Sequence, residues 1–113
     1  MNDNGILSIE RTVTGGSDVL ALRGDLDLTN VDSLVTAVAA TDSANVILDL
    51  NEITFIDSAG MRAIDQARRH LAGGRRLLIV AGKDSSAAWA FRVAGYEDDM
   101  IFASLDEAIR SFP

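Results

Sequence analysis

The sequence predicts an α/β fold, a mixed β-sheet with an N-terminal antiparallel hairpin and about four helices, in the order β-β-α-β-α-β-α-β-α. Three observations predict it. A period-2 segment at the start of the chain is joined through adjacent glycines to a second short apolar segment, which reads as a hairpin. Two nearly continuous Val/Ile/Leu runs follow, the composition of strands covered on both faces. Between and after them lie segments with apolar residues three to four apart, the pattern of crossover helices joining parallel strands with right-handed connections.

Each element has its own signal. Leu7, Ile9 and Val13 alternate with Ser8, Glu10 and Thr12, and Arg11 interrupts the apolar side, as an edge strand does. Gly15-Gly16-Ser17-Asp18 supplies residues that tolerate positive φ, and Val19-Leu20-Ala21-Leu22 returns as the second strand. After Arg23-Gly24-Asp25-Leu26-Asp27, Asn30 is placed to cap a helix carrying Val31, Leu34, Val35 and Val38 and ending near Ala40. Asn45 to Leu50 is a buried central strand, and Ile53, Phe55 and Ile56 are assigned to the connection after it.

Asp57-Ser58 then caps a second helix with Met61, Ile64, Ala67, Arg68 and Leu71 on one side and Arg62, Asp65, Gln66 and Arg69 on the other, stopped by Gly73-Gly74. Leu77 to Val80 repeats the buried-strand pattern. Ser85 to Ala94, closed by Gly95, is a third helix; Met100-Ile101-Phe102 is a short strand; Leu105 to Phe112 is a last helix. No internal repeat or linker interrupts the chain and its one proline is Pro113, so residues 1–113 read as a single domain.

Composition narrows the function. Hydrophobic residues form 48% of the chain, enough for a core, while 17 Asp and Glu against 10 Lys and Arg leave a net charge of −7. That balance repels phosphate backbones and anionic lipid, so neither nucleic acid nor a membrane surface is an expected partner. No run approaches the roughly 20 apolar residues of a membrane-spanning helix. There is no cysteine, which removes thiolate nucleophiles and cysteine-ligated zinc, and the polar Asn2-Asp3-Asn4 after Met1 is unlike a secretion leader, so a cytoplasmic location is expected.

The segment Phe55-Ile56-Asp57-Ser58-Ala59-Gly60-Met61 is the most informative. It sets a small hydroxyl on the first turn of a helix, at the carboxyl side of a buried strand, where open α/β sheets meet ligands and partners. Asp and Ser are also the best N-cap residues, so capping alone accounts for them. Gly60 costs a helix roughly 1 kcal/mol relative to Ala, and either close apposition of helix and sheet or an uncovered backbone beside Ser58 would require it. Nucleophilic use of Ser58 is not expected, because the single histidine, His70, lies twelve residues on along the same helix, about 18 Å away. Ile56 also stands where a nucleophile elbow has glycine.

Asp25-Leu26-Asp27-Leu28-Thr29 has the Asp-x-Asp-x-Thr spacing of a magnesium-dependent aspartyl phosphotransferase, but such enzymes need a longer chain with a lysine and further metal-binding acids downstream, whereas here the pair is expected to close a hairpin and precede a helix cap, so a structural or interaction role is the expectation. Gly15-Gly16 and Gly73-Gly74 are turns rather than phosphate loops. Arg75-Arg76 and His70 read as solvated. Trp89, the single Trp, lies off the stripe formed by Ala87, Ala90, Phe91 and Ala94, and is a contact residue if that stripe faces the sheet.

These residues resemble the STAS domain, specifically the anti-sigma factor antagonists of bacteria. Gly24-Asp25-Leu26-Asp27 is similar to the family's Gly-Glu-Leu-Asp stretch. Val46-Ile47-Leu48-Asp49-Leu50 with Phe55-Ile56-Asp57-Ser58-Ala59-Gly60 is similar to its central strand and Asp-Ser-Ser/Ala-Gly phosphorylation motif, and Ala94-Gly95-Tyr96 resembles a Ser-Gly-Leu; the likeness runs from about Leu7 to Ile109. It implies a non-enzymatic regulator needing no cofactor or metal. Ser58 would be phosphorylated by a partner that is both anti-sigma factor and serine kinase, and dephosphorylated by a metal-dependent serine phosphatase. The unphosphorylated form would bind that partner and release the sigma factor. Asp25, Asp27, Asp57, Ala59, Gly60 and Arg62 would form the partner-binding surface. The alternative the resemblance allows is an accessory subunit of a stress-signalling scaffold or a lipid-transport ATPase complex.

Overall fold

A computed structural model describes residues 6–71, 73–96 and 101–111. Among these residues nine elements appear in the expected order: β1 (Leu7–Thr14), β2 (Ser17–Leu26), α1 (Val31–Ala39), β3 (Asn45–Ile56), α2 (Ser58–His70), β4 (Arg76–Val80), α3 (Ser86–Val93), β5 (Ile101–Phe102) and α4 (Leu105–Arg110). The five strands stand side by side as β1-β2-β3-β4-β5. β1 is antiparallel to β2, and the remaining neighbours are parallel. β1 is therefore an edge, as its charged residues suggested.

The hairpin closes at Thr14 opposite Ser17, with φ of +59° at Gly15 and +78° at Gly16, the left-handed pair that a two-residue turn matched to strand twist needs. The runs Val46-Ile47-Leu48 of β3 and Leu77-Leu78-Ile79-Val80 of β4 are continuously apolar because both faces of the sheet are covered there. Val46, Leu48 and Leu50 of β3 point into a core shared with α1, α2 and α3, whereas Ile47 packs with Val19, Leu78, Val80 and Ala108 beneath α4. Three helices thus cover one face and α4 the other.

Several expectations change. β3 does not stop at Leu50: residues 51–56 continue as strand because Glu52, Ile53, Phe55 and Ile56 pair in parallel with Arg23, Gly24, Asp25 and Leu26, and only two of the six residues 51–56 are buried. Asp25 and Asp27 accordingly stand at the carboxyl end of β2, not at the close of the hairpin. Asn30 occupies the N-cap position of α1 without capping it, since its amide is engaged with the preceding loop, donating from Nδ2 to the Asp25 carbonyl (2.9 Å) and accepting at Oδ1 from the Asp27 amide (3.0 Å).

The buried face of α2 is Gly60, Ala63, Ile64 and Ala67: Ile64 and Ala67 of the expected stripe face the core, while Met61, Arg68 and Leu71 are only half-buried, and small residues let the helix lie low on the sheet. Arg75 is not merely solvated, because it donates from Nε to the Ser43 carbonyl and from Nη2 to Thr41 Oγ1, both at 2.8 Å. α4 ends at Arg110, and Met100 and Phe112 lie outside the described residues.

The amino-end of the sheet carries a buried carboxylate that composition alone did not single out. Asp18 is fully buried, accepting from Arg11 Nε (2.7 Å) and from the amides of Asp42 (3.1 Å) and Ser43 (2.8 Å). Burial pushes its carboxyl up, but the hydrogen bonds from Ser43, Arg11 and Asp42 outweigh that and hold it at about 2. Arg11, which broke the apolar alternation of β1, thereby fastens the hairpin to the loop entering β3.

Candidate functional site

The carboxyl ends of β2 and β3 and the first turn of α2 meet at one edge of the sheet, and a single carboxylate ties them together. Asp57 is the N-cap of α2, with extended backbone (φ −99°, ψ −178°), and its Oδ1 accepts from the Gly60 amide at 2.8 Å. Its Oδ2 accepts from the Leu28 amide at 3.3 Å, and its own amide donates to the Leu26 carbonyl at 3.3 Å. The residue that starts the helix therefore also holds the loop after β2 against it. Capping of this kind contributes about 1 kcal/mol.

Gly60 shows why the turn is so tight. A Cβ on Gly60 would lie 2.6 Å from the Leu26 carbonyl oxygen and 3.0 Å from both Ile56 Cγ1 and Leu26 Cγ. Close apposition of α2 to the end of β2 is what requires glycine, and Gly60 is buried, so it shapes the surface from beneath. Ser58, by contrast, is exposed as the first residue of α2, with Ala59 half-buried beside it.

The remaining residues singled out from the sequence sort by what they touch. Asp25 Oδ1 accepts from Thr54 Oγ1 at 2.8 Å, which links the ends of β2 and β3. Asp27 Oδ1 accepts from the Thr29 amide (3.0 Å) and hydroxyl (2.5 Å), folding the loop before α1. The two carboxylates thus hold loop geometry at the same edge as Ser58. Arg62 is exposed one helical turn beyond Ser58 and shares a shallow groove with Asp65, Gln66 and Arg69. Asp65 is bound by both Arg68 (2.7 Å) and Arg69. His70 ends α2, its Nδ1 2.7 Å from the Gln66 carbonyl, a full helix length from Ser58. Among the described residues, no group of three or more His, Asp or Glu is arranged to hold a metal ion, and no helix is long and apolar enough to cross a membrane.

Sequence reasoning left Phe55 in a connecting segment and Trp89 undecided, and the structure brings the two together. Ala87, Ala88 and Phe91 face the core, leaving Trp89 62% and Phe55 52% exposed on a groove of about 440 Å³ between β3 and α3. The signal available was the helical spacing of α3, in which Trp89 lies off the alanine stripe; nothing local placed Phe55 opposite it.

An anti-sigma factor antagonist from Mycobacterium paratuberculosis superposes with a TM-score of 0.82 at 17% identity, over 94% of this chain and 93% of that one. The Bacillus cell fate determinant SpoIIAA in its phosphorylated form gives 0.67 at 22% identity, over 96% and 100%. A sulfate transporter family protein from Wolinella succinogenes gives 0.66 at 18%, over 88% and 87%. These likenesses establish a shared fold. No protein of curated function matches the sequence significantly. The model of the STAS domain matches residues 8–108, nearly the whole chain, and the protein belongs to the STAS domain family.

Proposed function

We propose that this STAS domain is an anti-sigma factor antagonist controlled by phosphorylation of Ser58. One observation carries the reading: Ser58 is exposed at the head of α2, while its neighbour Asp57 is occupied in capping and the single histidine is a helix length away. Such a hydroxyl is reachable by an enzyme but has no base of its own, so it is a substrate group rather than a nucleophile. Structural relatives described as anti-sigma factor antagonists, among them SpoIIAA, which is also described in a phosphorylated form, support the choice of this role within the family.

The physics of the switch follows from position. A phosphate on Ser58 adds about −1.5 to −2 charges at pH 7, and a helix N-terminus favours anions, so the domain keeps its fold. The effect falls on binding. An uncompensated dianion beside Asp57, buried against a partner, costs about 3 kcal/mol, on the order of a hundredfold in affinity. In this reading the unphosphorylated form binds an anti-sigma factor that is also its serine kinase and so frees the sigma factor, and a metal-dependent serine phosphatase restores it. Asp25, Asp27, Asp57, Ala59 and Arg62 contribute the surface, Gly60 supports it, and the protein works in the cytoplasm without catalysing a reaction.

The test pairs modification with binding. Incubation with the cognate kinase and ATP, followed by mass spectrometry, is expected to place phosphate on Ser58. Ser58→Ala retains binding and Ser58→Asp weakens it. Modification elsewhere only, or equal affinity of the two variants, overturns the proposal, and a constant companion indifferent to Ser58 would indicate the accessory-subunit role instead.

A further inference from the structure

The groove between β3 and α3 reaches to Ile56, two residues before Ser58 in the chain, and has a chemistry of its own. Its floor is Ile56 and Ala90, and Phe55 and Trp89 stand as its exposed walls. Two aromatics of this size leave on the order of 200 Å² of apolar surface in water, the composition from which binding hot spots are built. We propose that this groove binds an extended segment of a partner protein in which a large apolar side chain lies next to a lysine or arginine. The location at the docking edge rests on the function proposed above; the chemistry of the occupant does not.

Two features choose that occupant. Pairing of β3 with β4 ends at Asp49 opposite Val80, while β3 runs on to Ile56 with β2 on its other side, so among the described residues the β4-facing edge of β3 by Thr54–Ile56 has no strand beside it. A strand end of this kind takes an added extended segment through its backbone groups, with alternate side chains of the visitor entering the pocket.

Charge selects the rest. Asp84 is the one ionisable group among the described lining residues, the hydroxyls of Thr54 and Ser85 being engaged with Asp25 and with Gly82 and Ala88. An acidic segment meets that carboxylate and a chain of net charge −7, and a second copy of this chain meets the same repulsion. A basic residue flanking the apolar anchor pairs with Asp84 instead.

Trp89 is the chain's single tryptophan, so its emission reports on the groove alone. The experiment selects binders to the full-length Ser58→Ala variant from a random peptide library and measures the recovered peptides by calorimetry and Trp89 fluorescence. Peptides with a large apolar residue within two positions of Lys or Arg are expected. They shift Trp89 emission to the blue, lose roughly tenfold or more affinity for Trp89→Ala, and fail to bind Asp84→Lys, which leaves both aromatics in place. Circular dichroism of each variant confirms that the fold persists. Recovered peptides that are acidic, that bind Trp89→Ala equally, or that ignore Asp84→Lys overturn the inference, as do an empty selection and concentration-dependent self-association that buries Trp89. Peptide binding without any phosphorylation of Ser58 by the cognate kinase removes the switch but leaves the groove; phosphorylation without peptide binding does the reverse.

Discussion

Replacing Gly60 by alanine sets two effects of opposite sign against each other, and the structure decides which is larger. Alanine is the better helix former by about 1 kcal/mol, so on propensity alone Gly60→Ala stabilises α2. Its Cβ, however, would stand 2.6 Å from the Leu26 carbonyl oxygen. A carbon settles against such an oxygen at about 3.3 Å or beyond, so α2 must withdraw by roughly 0.7 Å. The obstacle is backbone in the middle of the sheet's end, not a side chain that can swing away, and overpacking of this sort costs about 2 to 3 kcal/mol. The net expectation is a loss of about 1 to 2 kcal/mol, a fall in Tm of roughly 5 to 10 °C for a domain of this size. Urea and thermal unfolding of the variant measure it. Withdrawal also pulls on the Asp57 amide bonded to the Leu26 carbonyl at 3.3 Å, so hydrogen exchange at Asp57 and Leu28 should quicken. A Gly60→Ala protein as stable as the parent, or more stable, refutes the argument that close approach to β2 is what demands glycine here.

Acid should weaken the fold through Asp18. Its carboxyl drops from 3.8 to about 2 on folding, so the stabilisation is fully present above pH 4 and disappears as pH falls from there through 2, amounting to about 2 kcal/mol. Denaturation curves from pH 6 to pH 2 should show that component vanish in Asp18→Asn, whose lower stability at neutral pH reflects loss of the charge-assisted bond from Arg11; an unchanged pH profile contradicts the assignment. Asp57→Ala should cost about 1 to 2 kcal/mol in urea titrations through loss of the Gly60 and Leu28 hydrogen bonds, while Asp57→Asn, which retains an acceptor, should cost less. Equal losses for the two would mean that the carboxyl oxygens are not acting as a cap.

Much of this architecture is readable because the relevant forces are local. Adjacent glycines announced the hairpin since only they enter the left-handed region without strain, and both do, at Gly15 and Gly16. The Asp57 cap is legible from its place before an amphipathic run, and with it the position of Ser58 at the head of α2. Asn30 has the same capping chemistry and was misassigned, because a side chain amide serves a loop as readily as a helix and its neighbours Asp25 and Asp27 present the competing partners. The reach of β3 was hidden for a related reason: Asn51 to Ile56 carries no clean period, and strand structure is imposed there by pairing with β2.

What the chain alone determined is the succession of elements, the covered central strands, and the serine at the head of α2, all products of periodicity and of residues that act on their immediate neighbours. The tertiary structure decided the rest: that Asp57 joins two loops, that Gly60 is demanded by the Leu26 carbonyl, that Asp18 is a buried anchor, and that Phe55 and Trp89 share a groove. Each of these depends on residues 24 to 34 positions apart being brought to one place, as Asp18 is bonded to Asp42 and as Phe55 and Trp89 line one groove, and no local propensity encodes such a distance.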